Sequence, residues 1–149
     1  MLNVVRIDER GPIRVAPFFD LTMVWNRGIS YGLFQQHEAA GAWALVALSL
    51  VAAVALGVWL ARTQVWIIAI ALGLLIGGAL GNAIDRALYG AVADFVLLYW
   101  IPFFPYVFNV ADAAIVAGVA LLLYDSLVLE GRRRQMQASV GAADPGQGI

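Results

Sequence analysis

Cysteine and lysine are both absent from the 149 residues, and histidine occurs once. The missing cysteine removes disulfides, thiol nucleophiles and thiolate metal sites together. His37 by itself builds neither a metal site nor a Ser-His pair. All nine basic residues are arginine, and ten acidic residues balance them to a formal net charge of −1. Nucleic acid is therefore set aside as a partner, since no basic surplus is present to meet a phosphate backbone. Charge of either sign is scarce, at 13% of residues against roughly 25% in soluble domains. The start, Met1 to Arg14, is polar and basic and carries no apolar signal-peptide core.

What is present is apolar: 62% of residues are hydrophobic, gathered into long uncharged runs that place the chain among polytopic membrane proteins. Ala39 to Ala61 is uncharged over about 23 residues, which at about 1.5 Å each spans the hydrocarbon of a bilayer. A second run, Thr63 to Ile84, follows after a short linker around Arg62-Thr63-Gln64, so the two helices are predicted to be antiparallel neighbours. Gly77-Gly78 and Gly81 are expected to form their contact surface, because small residues let membrane helices approach closely. A third span is predicted from Val107 to Leu129, broken only by Asn109 and Asp112 near its start and Asp125 near its end.

Between the second and third spans, Asp85 to Tyr106 reads as a re-entrant or interfacial loop with an aromatic belt of Tyr99, Trp100, Phe103, Phe104 and Tyr106. Ile13 to Phe34 alternates apolar and polar residues in places and reads as a short β-rich element at the membrane surface, with Asn26-Arg27-Gly28 as a turn. The predicted fold class is an all-α polytopic membrane protein, a transmembrane helix bundle with a small extracytoplasmic β-rich element. Its parts are a β-rich segment over 1–37, a bundle with a catalytic loop over 38–130, and a disordered cytoplasmic tail over 131–149. Arg62 and Arg132-Arg133-Arg134 fall on one side of three spans, which the positive-inside rule makes cytoplasmic. Arg6, Arg10, Arg14 and Arg27 are then stranded outside, a conflict that points to a further span.

Ionisable residues at membrane depth are costly and mark function by default. Here they are Asp85, Arg86, Asp94, Asp112 and Asp125. Asn109 lies three residues before Asp112, on one helical face with it. Asp94 stands in the apolar run Ala91-Val92-Ala93-Asp94-Phe95-Val96, where an ionised carboxylate needs a partner or a proton. If Asp94 and Asp112 face each other they share a proton, as the two carboxylates of an aspartic peptidase do. The competing reading is that each Asp caps a helix or bonds across helices. Asn82, Asp85 and Arg86 could likewise be a helix-end network, Asp125 a solvated interfacial carboxylate, and His37 with Glu38 an interface pair.

Read together, four segments resemble the lipoprotein signal peptidase (signal peptidase II) family over about Pro17 to Glu130. They run from Phe18 to Phe34, from Gly77 to Arg86, from Val92 to Phe95 and from Phe108 to Ile115, in the family's order and spacing. The resemblance implies a membrane aspartic endopeptidase that removes signal peptides from diacylglyceryl-modified prolipoproteins, cutting before the lipidated cysteine. It puts the catalytic aspartates at Asp94 and Asp112, with Asn26, Asn82, Asp85, Arg86 and Asn109 as surrounding polar residues. It implies no metal or other cofactor, membrane lipid and prolipoprotein as partners, and inhibition by globomycin-type peptides. It implies a site at the extracytoplasmic face of the bacterial cytoplasmic (inner) membrane. Family members have four helices, and the first, with its Asp-Gln and Lys motif, has no counterpart in Met1 to Pro17. The alternatives are a non-catalytic or truncated membrane scaffold and a small transporter, which would show repeated halves.

Overall fold

A computed structural model describes residues 12–16, 19–26, 39–98, 106–132, 135, 136 and 139. Three helices in it are long and apolar enough to cross a membrane: Ala40–Arg62, Trp66–Tyr89 and Val110–Arg132. We label the regular elements α1 (Ala39–Arg62), α2 (Trp66–Tyr89) and α3 (Val110–Tyr124), the last continuing through a π-helical turn at Asp125–Leu129. A four-stranded antiparallel sheet has the order β1 (Ile13–Ala16), β2 (Phe19–Asn26), β3 (Val92–Leu98), β4 (Tyr106–Phe108); β1 and β2 precede α1 in sequence, and β3 and β4 lie between α2 and α3.

The charge-free runs form helices because, in hydrocarbon, only an intrasegment hydrogen-bond ladder satisfies every backbone group. α2 is the middle of the layer and packs against both α1 and α3. Its Ala71 and Leu72 are fully enclosed, while Trp43, Leu48, Val51 and Val54 of α1 and Val116 of α3 remain exposed as a surface for lipid. Two glycines set how closely α2 and α3 approach. A Cβ on Gly118 would lie 2.8 Å from the Ala71 carbonyl oxygen and 2.8 Å from Leu75 Cγ, and one on Gly78 would lie 2.5 Å from the Ala111 carbonyl oxygen. The small residues of the second span therefore serve its contact with the third, not with the first, while Gly77 faces open space.

The loop expected over Asp85 to Tyr106 is ordered differently where it is described. α2 continues through Asp85 and Arg86 to Tyr89, because at the end of a span those charges reach polar partners without leaving the helix. Gly90, at φ 68°, then caps the helix in the left-handed conformation, its N–H donating to the Arg86 carbonyl at 2.9 Å. The chain turns directly into β3, which pairs with β2 from Asn26↔Val92 to Phe19↔Leu98 across an irregularity between Leu21 and Val24. The aromatic belt from Tyr99 to Phe104 lies outside the described residues, as do the turn residues Arg27 and Gly28 and the His37-Glu38 pair. The β-rich element is present as β1 and β2. The third span starts at Val110 because Tyr106–Phe108 is spent on β4. Asp125 is buried, only 5% exposed, instead of solvated, since it faces inward where α3 widens into its π turn. Most of the 131–149 tail lies outside the described residues; Gly131, Arg132, Gln135, Met136 and Ser139 are helical.

Substituting Gly118→Ala is expected to lower stability by about 1–3 kcal/mol through overpacking, whereas Gly73→Ala, which meets nothing within 4 Å, is neutral or better. Thermal midpoints in one detergent check this; an unchanged midpoint for Gly118→Ala contradicts the close approach of α2 and α3.

Candidate active site

Four elements deliver polar side chains to one place at the end of the helix layer. β2 ends on Asn26, β3 carries Asp94, the last turns of α2 carry Asn82, Asp85 and Arg86, and α3 opens on Asn109 and Asp112. Asp94, Asn82 and Asn109 are all buried, Asp94 only 3% exposed. The antiparallel register sets Val24 opposite Asp94, so Asn26, two residues along β2, leans over the same face. Its amide nitrogen donates to Asp94 Oδ2 at 3.0 Å.

Asn109 is the hinge of the site. Its backbone is extended (φ −123°, ψ 179°), so it precedes α3 as the N-cap instead of sharing a helical face with Asp112. The pair forms a reciprocal capping box: the Asp112 N–H donates to Asn109 Oδ1 at 2.9 Å and the Asn109 N–H donates to Asp112 Oδ2 at 3.3 Å. Because Oδ1 is held by that backbone N–H, the amide group can turn only one way. Nδ2 then donates to Asp94 Oδ1 at 2.8 Å and to Asn82 Oδ1 at 3.1 Å. Asn82 Nδ2 completes the circuit by donating to Asp112 Oδ1 at 2.9 Å. One residue, Asn109, thus donates to both carboxylates, and two asparagine side chains, Asn109 and Asn82, tie Asp94 to Asp112, while Asn26 holds Asp94 from the sheet. The helix-capping role weighed for Asp112 is real, and it coexists with a place beside Asp94.

Burial is the main force holding the Asp94 carboxyl above its ordinary value; the hydrogen bonds from Asn26 and Asn109 oppose it, the charge of Asp112 adds to it, and the charge of Arg86 opposes it. Asp85 and Arg86 stand one step back. Asp85 Oδ2 accepts from the Ala93 N–H at 3.3 Å, which ties β3 to α2 one residue before Asp94. Arg86 donates through Nη1 to the Asn82 carbonyl at 3.3 Å, one turn back on its own helix. The seven residues expected at the site therefore converge, while Asp125, beyond the far end of α3, does not join them. Among the described residues, no group of three or more His, Asp or Glu side chains is placed to hold a metal ion. Gly78, expected against the first span, lies instead against α3 beside this cluster; its place four residues before Asn82, on the same face, is the available signal. A geometry of two linked carboxylates, one inclined to keep its proton, can activate water on one oxygen and protonate a carbonyl from another.

Comparison with known proteins gives the same direction. The family described as Signal peptidase (SPase) II matches residues 2–128. A lipoprotein signal peptidase of Methylobacterium radiotolerans is 60% identical over 134 residues, 90% of this chain and 77% of that protein. One from Methylorubrum extorquens is 63% identical over 116 residues, 78% of this chain and 68% of its own. Among solved structures, a bacterial membrane enzyme determined by the in meso method at 1.9 Å resolution superposes with a TM-score of 0.69 at 28% identity, covering 79% of this chain and 76% of that one.

The raised value of Asp94 has a definite sign for stability. The folded state holds that proton more tightly than the unfolded chain, so the contribution is complete below the ordinary carboxylate value of about 4 and is lost as pH rises through the folded value. The thermal midpoint of the wild type, relative to Asp94→Asn, is expected to fall as pH rises from about 4 toward neutrality. A gap that stays flat, or moves in favour of the wild type, contradicts the assignment.

Proposed function

The chain belongs to the signal peptidase II family, and from that premise we propose that Asp94 and Asp112 are its catalytic pair. It is a bacterial integral membrane peptidase of prolipoprotein processing. The observation that carries the assignment is the double donation from Asn109, whose side chain reaches Asp94 at 2.8 Å while its backbone N–H reaches Asp112 at 3.3 Å. The relatives above are peptidases by name, which leaves the scaffold reading without support.

In the proposed mechanism the pair enters with one proton, favouring Asp94, whose burial disfavours its charge. The ionised partner, Asp112, takes a proton from water as the water oxygen bonds to the scissile carbonyl carbon. Asp94 gives its proton to the carbonyl oxygen. When the tetrahedral intermediate collapses, the oxygen returns its proton to Asp94, the C–N bond breaks, and the proton held by Asp112 leaves with the amine. Both reacting groups are carboxylates, so the scheme uses no cofactor. Asn26, Asn82 and Asn109 hold the two carboxyl groups in fixed orientation, and Asp85 and Arg86 hold the strand and helix that carry them.

Placement supports the rest of the reading. Arg62 at the end of α1 and Arg132 beyond α3 lie at the end of the layer opposite the pair, and a cytoplasmic position for those arginines puts the pair at the extracytoplasmic face of the inner membrane. Exposed Trp25 and Tyr89, with ring centroids 5.6 Å apart, suit the headgroup level of a bilayer beside the site. At that depth a diacylglyceryl-modified cysteine can rest its chains in lipid while the bond before it reaches the carboxylates. Peptides of the globomycin type fit the reading as blockers of the same site.

Cleavage of a diacylglyceryl-modified prolipoprotein, followed by gel shift in detergent, tests the assignment. Asp94→Asn and Asp112→Asn are each expected to lower the rate on the order of a thousandfold or more, and a chelator to leave the wild type unchanged. Near-wild-type cleavage by either variant removes that residue from the pair.

A further inference from the structure

Asn82 donates to Asp112 across the contact of α2 and α3, and Gly78 marks a close approach of the two helix backbones beside that bond. Gly78 lies one turn before Asn82 on the same face of α2. A Cβ there would stand 2.5 Å from the carbonyl oxygen of Ala111 and 2.6 Å from Ile115 Cγ1, against the 3.4 Å at which ordinary contact begins. The nearer obstacle is backbone, and it belongs to the peptide that joins Ala111 to Asp112. It cannot yield by a rotamer change; the first turn of α3 has to move, and Asp112 with it.

We propose that Gly78 is a positioning residue for the reaction: its missing side chain lets α2 and the first turn of α3 meet at the separation that Asn82 needs to hold Asp112. The proposal rests on the assignment of Asp94 and Asp112 as the catalytic pair. A methyl group at position 78 lengthens the 2.9 Å bond from Asn82 to Asp112 and the 3.1 Å bond from Asn109 to Asn82, and so misdirects the carboxylate without touching it. Other glycines of the bundle separate this role from packing in general. Gly118 is also tight against α2, its nearest contacts at 2.8 Å, but it sits about 9 Å further along α3 from Asp112, six residues on. At Gly81 a Cβ would lie 3.3 Å from the Ala111 methyl, a milder wedge on the same turn. Gly77 meets nothing within 4 Å.

The experiment measures kcat and KM for cleavage of a diacylglyceryl-modified prolipoprotein by the full chain in detergent. The variants are Gly78→Ala, Gly81→Val, Gly118→Ala and Asn82→Ala, and Asn82→Ala combined with each glycine variant. Gly78→Ala is expected to lower kcat about tenfold or more, the scale of a lost hydrogen bond to a charged group, with KM held within about twofold. Gly118→Ala lowers the thermal midpoint and keeps kcat per folded molecule. Adding Asn82→Ala has its full effect in the Gly118→Ala background and a much smaller one in the Gly78→Ala background, since the contact it removes is already broken. Should Gly78→Ala not fold, Gly81→Val presses the same turn and is expected to show the same non-additivity in weaker form. Unchanged kcat in Gly78→Ala, or in Gly81→Val where it stands in, overturns the proposal, as does full additivity with Asn82→Ala. If Asp112→Asn retains full activity, the assignment of the pair falls and takes this proposal with it; if Asp112→Asn is inactive while the glycine variants keep kcat, only the role of Gly78 is lost.

Discussion

A buried carboxylate set near a second, half-buried one loses hydration and meets a like charge, and the arrangement survives only if fixed donors replace the lost water. Here the donors are amide groups, which carry no charge of their own and leave the carboxylates free to exchange a proton. Asn109 is the point on which this depends. Its side-chain nitrogen donates to Asp94, its backbone N–H donates to Asp112, and its side-chain oxygen Oδ1 accepts from the Asp112 N–H in the first turn of α3, so its orientation is fixed by the start of a helix. The β4 to α3 junction therefore both starts a helix and orients the two carboxylates of the proposed pair.

The rest of the fold serves that junction. α2 lies in the middle of the layer because both flanking helices need it, and its outer end brings Asn82, Asp85 and Arg86 to the level at which α3 begins. The sheet adds Asp94 and Asn26 from outside the helices. Gly90, in the left-handed conformation, makes the sharp passage from α2 into β3, and Asp85 fastens β3 at Ala93 immediately after it. Strand pairing between Val24 and Asp94 then sets the depth at which the carboxyl enters the site. Charged residues at a membrane boundary are tolerated because each is engaged with backbone or with another polar group of the same cluster.

The three spans were legible because hydrocarbon imposes a length and excludes charge, and Ala39 to Ala61 shows both constraints openly. The rarity of ionisable groups in the apolar runs marks Asp85, Arg86, Asp94, Asp112 and Asp125 without help, whereas the full set of seven, Asn26 above all, was legible only through the family resemblance. Element boundaries were less so. Asp85 and Arg86 look like the end of a helix, yet α2 carries them, because a charge at the last turn of a span has partners within reach. β3 was read as loop since Asp94 interrupts its apolar pattern; only the pairing with β2, more than 60 residues earlier, makes it a strand. Asn109 and Asp112 carry the spacing of a capping box, a local signal that was read as a shared helical face. Which neighbour Gly78 serves, and that Asp125 turns inward, depend on three-dimensional packing that no local pattern encodes.

The central claim is that Asp94 and Asp112 act as one unit, with a proton retained at Asp94 beyond the pH at which a free carboxyl gives it up. Infrared titration of the protein in detergent, as a difference between wild type and Asp94→Asn, reads that proton directly. The account predicts a protonated carboxyl band that persists above the ordinary carboxylate range of about 4, disappears in Asp94→Asn, and changes its titration in Asp112→Asn. A band that survives Asp94→Asn unchanged, or an Asp94 carboxyl that is fully ionised from that range upward, contradicts it.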